Sequence, residues 1–346
     1  MKSYDVIIAG AGPAGLRCAE ILAKNNKKVL VLEKNKSIGS KVCAGGITLK
    51  CLEMGIPNKI IQRKFKKAMI HTPHQTTEIK LDKPFVATIN REDLGKWMAQ
   101  KAKNSGAEII TDSKVTKFYQ KHIVVNEKNK IGYKHLVGAD GSSSIIRKQL
   151  GIKTINFAEA FHYITPKKFN NIEIFFNPDC FGAFYAWIFP HKSFTSIGTG
   201  ADLSKKIKQP VFNLKLHDIK KNFDEWCSKR FDLSKARFEA SIINYDYRGH
   251  DFGNKFLIGD AGGFASGLTG EGIYFAIKSG EDIARRIIDN KYNYPNIQHI
   301  LKIKKIEEKI ARTLERNKTI SKIEHEMMVA MARVKWLNKK MVRFVD

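Results

Sequence analysis

Three glycine-rich stretches and one cysteine loop hold the residues best able to do chemistry. Gly10-Ala11-Gly12-Pro13-Ala14-Gly15 has the spacing G-x-G-x-x-G, and Glu33 follows eighteen positions after Gly15. Such a turn lets a pyrophosphate approach free N–H groups at a helix N-terminus, while the acidic side chain accepts hydrogen bonds from a ribose. G-A-D-G-S-S-S-I-I-R (138–147) and L-I-G-D-A-G-G-F-A-S-G-L-T-G-E-G-I (257–273) each place an aspartate after an apolar run, among glycines that bare further amides. A carboxylate there can bind polyol hydroxyls, and a helix start at 270–273 can stabilise negative charge on a ring system. G-S-K-V-C-A-G-G-I (39–47) sets a thiol between a lysine and two glycines. It reads as a turn with a stray cysteine, a redox site, or the floor of a cofactor pocket. No Ser/His/Asp or paired-carboxylate arrangement stands out, and His71, His162, His191 and His250 show no metal spacing, so no metal is expected.

The elements that must carry these motifs follow from periodicity. Residues 4–9 (Y-D-V-I-I-A) fit a buried parallel strand, a helix runs to about residue 25, and 28–33 (K-V-L-V-L-E) fit a second strand. That is a βαβ unit of about 30 residues. Strands with polar turns are expected over 65–89, a helix opening at Asn90-Arg91 with Asn90 as cap, and strands at 107–111, 114–119 and 122–126. H-L-V-G-A (135–139) leads into Asp140-Gly141 and a short helix ending near residue 150. From 152 to 247 the pattern alternates in strands, interrupted by one helix at 214–231. A short strand at 255–259 precedes a helix over 273–289, and 297–345 is helical in period. No internal repeat or Pro/Gly/Ser-rich linker breaks the chain.

The 346 residues allow two domains, and 43% hydrophobic content suits a globular chain. No window reaches eighteen apolar residues, so no membrane span is expected. Met1-Lys2 and the apolar run after them imitate a signal peptide, but Asp5 and the glycine turn assign the run to a strand. Five scattered cysteines without a CxxC pair indicate neither zinc nor a disulfide framework, and a reducing, cytosolic compartment. The formal charge of +27 reads either as attraction to a polyanion or as lysine spread over all surfaces. Residues 291–346 hold 14 Lys/Arg against 6 Asp/Glu, which concentrates part of the excess in one segment.

Taken together the three motifs resemble the glutathione-reductase-type FAD-binding fold, in the branch of aromatic hydroxylases and geranylgeranyl reductases. Two further stretches are similar to geranylgeranyl reductases: K-V-C-A-G-G-I matches their K-x-C-G-G loop, and Y-A-W-I-F-P (185–190) their Y-x-W-x-F-P segment over the flavin. Ala44 departs from the glycine of many members, and the W-x-W-x-I-P halogenase pattern is not met, since Tyr185 and Phe189 replace Trp and Ile. The resemblance covers residues 1 to about 290. It implies an α/β (α+β overall) architecture: a Rossmann-like FAD-binding domain, an inserted antiparallel-sheet substrate domain and C-terminal helices. The boundaries expected are 1–62, 91–151 and 246–290 for the FAD domain, 63–90 and 152–245 for the sheet domain, and 291–346 for a basic helical segment.

The resemblance also implies roles. Gly10, Ala11, Gly12, Pro13, Ala14 and Gly15 would cradle the diphosphate, Glu33 would hold the adenosine ribose, and Arg91 would reach the FAD phosphates or ribityl. Asp260, after Gly259, would bind the ribityl chain, and the backbone at Gly270, Gly272 and Ile273 would face the flavin N1–O2 edge. Asp140 and Gly141 would complete a second fingerprint, Ala44, Gly45 and Gly46 the flavin floor, and Lys41 would neutralise charge near the reduced ring. Lys34 and Val115 complete the cofactor set. Cys43 and Trp187 are the catalytic candidates, and Tyr185, Trp187, Phe189, Phe175 and Phe184 would wall an apolar substrate tunnel. Trp187 and Phe189 read equally as strand core, and Cys43 as a small buried hydrophobe.

The reaction implied is hydride transfer from reduced FAD to a carbon–carbon double bond of a polyprenyl lipid. NAD(P)H docking transiently, or another reductant, would recharge the flavin, because no second G-x-G-x-x-G provides a nicotinamide domain. Peripheral contact with an anionic membrane would give the basic exterior a use, at the inner face of the membrane. A flavin monooxygenase of the hydroxylase branch, a quinone-linked electron-transfer flavoprotein and an RNA-binding flavoprotein are the competing readings. The last lacks a clustered basic patch interleaved with aromatics, so nucleic acid is not the expected partner, and monomer or oligomer is not written in these motifs.

Overall fold

The run that opens the chain is buried on both faces, and a parallel sheet forms around it. In the computed structural model, which describes residues 1–204, 214–314 and 318–333, Val6, Ile7 and Ile8 of the strand Ser3–Ala9 are wholly inaccessible. A strand buried on two sides reads as continuous β-branched sequence, as this one does. It pairs in parallel with Val29–Leu32 and Asn129–Gly138, and Glu108–Ile110 and Lys255–Leu257 extend the parallel set. His122–Val125 and Val115–Phe118 add antiparallel strands at the other edge. The helix Pro13–Lys24 packs against Ile273–Ile288 and Arg91–Asn104 on this sheet.

This first compact unit comprises residues 1–41, 91–157 and 243–305. The second comprises 42–90, 158–242 and 306–346. Its seven-stranded sheet runs in the order Arg237–Asn244, Phe157–Thr165, Thr195–Asp202, Tyr185–Pro190, Ile172–Phe176, Lys67–His71, Thr76–Lys80. Ile172–Phe176 and Lys67–His71 pair in parallel, so the sheet is mixed where an antiparallel one was expected. One face packs Phe161, Ala186, Ile188, Ile197 and Ala201 against Ile219, Phe223 and Trp226 of the helix Leu216–Ser228. A second, three-stranded sheet joins Gly46–Thr48, Val86–Ile89 and Ile61–Phe65.

Further details depart from the sequence expectation. Residues 42–62 belong to the second unit, not the first, because Gly46–Thr48 and Ile61–Phe65 both hydrogen-bond to Val86–Ile89. The segment 291–346 is not one body: 291–305 belongs to the first unit, and 306–314 and 318–333 to the second. The strand Asn129–Gly138 begins well before the expected residue 135, and Phe157–Thr165 is an additional nine-residue strand. The helices Pro295–Leu314 and Lys318–Met331 account for the helical period of the tail, while 334–346 lie outside the described residues. Among the described residues no helix is long and apolar enough to cross a membrane.

Candidate functional site

Within the first unit the G-x-G-x-x-G turn is built as its spacing predicts. Gly10 takes φ +107°, and a Cβ there would lie 2.3 Å from the Ala139 carbonyl oxygen, so only glycine fits. At Gly12, by contrast, nothing lies within 4 Å of where a Cβ would be. Gly12 is also the N-cap of the helix Pro13–Lys24 and has no side chain to cap the first-turn amides. Pro13 at the first helical position lacks an N–H that would otherwise be orphaned. Glu33 is buried, and its carboxylate accepts the Ala11 N–H at 2.8 Å and the Asn35 N–H at 2.9 Å. It therefore ties the turn to the end of the second strand.

Arg91 opens the helix Arg91–Asn104, and its Nε and Nη1 are buried without an acceptor among the described residues. Leaving a neutral buried donor unpaired costs on the order of 1–3 kcal/mol, and a charged one costs more. An anionic phosphate removes that cost. The open helix N-terminus and this guanidinium are what a dinucleotide diphosphate requires.

Asp260 is largely buried; its Oδ2 accepts from Lys41 Nζ at 2.5 Å and from Ser142 Oγ at 3.1 Å. Two residues assigned separate roles from sequence, Lys41 and Asp260, are thus partners. Asn244 Nδ2 donates to the Asp260 carbonyl at 2.8 Å, and the N-cap Gly272 of the helix Ile273–Ile288 lies beside Oδ1. Asp140 is held within its own loop. Its carboxylate accepts from Ser144 Oγ at 2.6 Å and the Ile145 N–H at 2.7 Å, bracing Ser144, the N-cap of the helix Ile145–Gln149, whose Oγ in turn accepts the Arg147 N–H. Burial pushes its carboxyl above the ordinary range, and these donors oppose that rise. Gly141 has φ +82° with open space around it, Gly259 donates its N–H to Ser279 Oγ at 3.0 Å, and Gly270 is exposed. Lys34 is exposed, and Val115 is core.

The cysteine loop and the aromatic strand come together in the second unit. Tyr185, Trp187 and Phe189 alternate along Tyr185–Pro190 and so share one sheet face, with ring centroids 6.2 Å and 6.0 Å apart. A Cβ on Gly46 would lie 2.6 Å from the Phe189 ring, so the glycine is what lets the loop lie on that aromatic. Cys43 is exposed and its Sγ accepts the Gly45 N–H at 3.4 Å. Phe184 touches the same face beside Gly200. Phe175 does not: it pairs opposite Ala186 and packs edge-on against Trp226, on the core face.

His191, set aside from sequence as surface or structural, follows Pro190 directly and pins the loop. Its Nε2 lies 3.0 Å from the Ala44 carbonyl oxygen, which can only accept, so Nε2 carries the hydrogen. The ring stacks on Phe194 at 4.1 Å. Burial pushes its pKa down to about 4, and the Ala44 contact opposes that only partly. Ser142, Asn244 and His191 were not found from sequence. The one available signal was the position of His191 immediately after the Y-A-W-I-F-P motif.

A family model described as an FAD binding domain matches residues 3–200. The chain is 31% identical to digeranylgeranylglycerophospholipid reductase 3 of Methanosphaera stadtmanae, over 81% of this chain and 76% of that one. It belongs to the geranylgeranyl reductase family. Geranylgeranyl diphosphate reductase of Rhodobacter capsulatus is 28% identical, over 80% of this chain and 73% of that one. A geranylgeranyl bacteriochlorophyll reductase-like protein from Thermoplasma acidophilum shares the fold with TM-score 0.76 at 19% identity, covering 96% and 92% of the two chains. As a geranylgeranyl reductase family member the chain is an FAD-dependent oxidoreductase, and the open helix N-terminus and unpaired Arg91 fit that cofactor.

Two outcomes follow for this family member. Arg91→Met should weaken FAD binding roughly 10- to 100-fold, the worth of one or two charge-assisted hydrogen bonds, in a flavin-release titration. Equal FAD affinity in variant and wild type would remove Arg91 from the cradle. For His191 the folded pKa lies below the ordinary value of about 6.5, so the unfolded chain binds more protons between the two. Its contribution is complete above about pH 6.5 and is lost as pH falls through about 4. Urea midpoints of wild type and His191→Gln, whose amide can still donate to Ala44, should converge as the pH is lowered through that window. A gap constant with pH would refute the assignment.

Proposed function

We propose that this chain reduces carbon–carbon double bonds in a polyprenyl chain of the geranylgeranyl type. The observation that carries the reading is the row of Tyr185, Trp187 and Phe189 on one sheet face, its Phe189 lying against Gly46 of the loop that exposes Cys43. Aromatic side chains in a row offer an isoprenoid a long apolar wall without demanding hydrogen bonds from it. The names of the relatives, a diphosphate reductase and a glycerophospholipid reductase, support the same substrate class. FAD supplies the hydride chemistry when bound. In the first unit Gly12 and Arg91 would hold the diphosphate, and Asp260 with the helix start at Gly272 would serve the flavin; in the second unit the aromatic strand would offer the prenyl chain its apolar wall. The second hydrogen of the saturated bond is a proton from water or the Cys43 thiol, and NAD(P)H or another reductant restores the cofactor.

The test uses FAD-loaded protein reduced with dithionite and given geranylgeranyl diphosphate, with products resolved by mass. Gains of two mass units per reduced double bond are expected. Oxygen-consuming NAD(P)H oxidation stimulated by an aromatic compound, with no saturated prenyl product, would replace this reading by a monooxygenase. Cys43→Ser should lower turnover with unchanged FAD binding if the thiol gives the proton, and leave turnover unchanged if it is packing alone.

The same reading puts the enzyme at an anionic membrane surface, where such lipids reside. Supporting it are the formal charge of +27 and the helix Lys318–Met331, which exposes Ile320, Ile323, Met327 and Met331 at spacings of three and four. The protein should sediment with phosphatidylglycerol vesicles at low salt and be released by replacing Ile323 and Met327 with Ser. Equal recovery with neutral and anionic vesicles would rule the electrostatic part out.

A further inference from the structure

His162, Gly198 and Trp187 face one another across three neighbouring strands, His162 opposite Gly198 and Gly198 opposite Trp187. A Cβ on residue 198 would lie 2.3 Å from Trp187 Cζ2 and 2.6 Å from His162 Cβ. The missing side chain therefore lets the indole and the imidazole lean over the middle strand from both sides. They meet at Ser196, two residues earlier on the same face. Trp187 Nε1 lies 3.1 Å from Ser196 Oγ, and Ser196 Oγ lies 2.7 Å from His162 Nδ1.

The direction of this chain follows from its chemistry. An indole N–H only donates, so Ser196 Oγ accepts from Trp187. The hydroxyl has one proton, and His162 Nδ1 is its other partner, so the proton points there and Nδ1 is the acceptor. The ring hydrogen of neutral His162 is then on Nε2, which faces Glu239 Oε2 at 3.4 Å, an ion-pair distance rather than a formed hydrogen bond. Glu239 is itself held by Arg237 Nη2 at 2.7 Å. Trp187, Ser196 and His162 are 8%, 0% and 2% exposed, so water cannot replace a missing member. Burial holds the His162 imidazolium form down against the pull of Glu239, which keeps Nδ1 an acceptor.

The geometry points to Ser196 and His162 as positioning residues that fix the plane of the Trp187 indole, and through it the wall on which the prenyl chain lies. This rests on the placement of Trp187 in the site proposed above. A tryptophan on a strand has two opposed settings of its ring of similar size and shape. Only one of them delivers Nε1 to Ser196. An apolar substrate offers no polar group to select the setting, so the protein must select it beforehand, which is how a small displacement comes to cost rate.

The test compares FAD-loaded wild type, Ser196→Ala, Trp187→Phe and the double variant. Two readouts are taken, dithionite-driven reduction of geranylgeranyl diphosphate and near-ultraviolet circular dichroism. Trp187→Phe and Ser196→Ala should each lower kcat/KM roughly tenfold, and the double variant should be no worse than Trp187→Phe, because phenylalanine has no N–H to orient. The dichroism band lost in Trp187→Phe should also be lost in Ser196→Ala while melting of the fold is retained. His162→Asn, whose amide oxygen can accept in place of Nδ1, should recover much of what His162→Phe loses. The inference is overturned if Ser196→Ala costs as much in the Trp187→Phe background as alone, which would make it a general loosening of the sheet. It is overturned equally if Ser196→Ala keeps the Trp187 band. The dichroism reads the ring's setting without turnover, so failure of the positioning and failure of the proposed substrate are told apart. Full turnover by Trp187→Phe would remove the indole from the site and the inference with it.

Discussion

Parallel pairing at one end of the first sheet is the constraint on which the cofactor cradle depends. Ala9 lies opposite Leu32 and Gly138, and Gly138 lies opposite Leu257. Four strands therefore end at one level, and the residues that follow them leave the sheet side by side: Gly10, Glu33, Ala139-Asp140 and Ile258-Gly259. Ligands of open α/β sheets bind beyond the carboxyl ends of the strands for this reason. Three motifs more than a hundred residues apart in sequence need no further device to meet. The register brings Ser142 to Asp260 and Gly10 to Ala139, and each contact is short because the strands are fully buried and cannot slip by one residue without exposing their apolar faces.

The second unit solves a different problem, a sheet that is apolar on both faces and must keep them distinct. One face is filled by the helix Leu216–Ser228 and is ordinary core. The other carries Tyr185, Trp187 and Phe189, with the polar Ser196 and His162 among them, and at the strand's end His191 and Thr88 of the three-stranded sheet hold the neighbouring loop and Pro190, whose carbonyl accepts Thr88 Oγ1 at 2.8 Å. Hydrogen bonds contribute little net stability but are directional, and a buried donor left without an acceptor is costly. That asymmetry is what they are suited for here. They select among settings of rings and loops that apolar packing alone would leave nearly equal in energy.

The nucleotide side was legible because it is made of backbone. Gly10, Gly12, Pro13 and Gly15 show by their small or locked side chains where amides must be bare, and Glu33 sits at the end of a strand whose apolar run is unmistakable. The aromatic strand was legible by alternation. What stayed hidden had pattern-breaking polarity or depended on partners remote in sequence. The strand Asn129–Gly138 begins N-K-I-G-Y-K after a turn at Asn126 and Glu127, both at positive φ, so its first half pairs antiparallel while looking like a loop. Phe175 alternates correctly but its phase relative to Trp187 is set by the pairing with Ala186, which no local pattern contains. His191 and Ser196 are polar residues at buried positions, where composition predicts exposure and only the finished sheet supplies the partner.

The Lys41–Asp260 pair shows how such distant partners bear on the chemistry. Each residue has a plausible role alone, one balancing negative charge and one accepting from hydroxyls. Joined at 2.5 Å, the ammonium is already half-committed to a carboxylate that Ser142 also binds. Asp260 is only 12% exposed on its side chain whereas Lys41 is 45% exposed, so the attraction is partly screened from the lysine's side. The carboxylate is therefore the fixed member and the ammonium the adjustable one. With FAD held as proposed, negative charge on its ring would draw the lysine, while the second oxygen of Asp260 lies beside the helix N-terminus at Gly272. A single-residue reading assigns these charges separately. Their pairing makes them one device, with a rigid acceptor and a mobile cation.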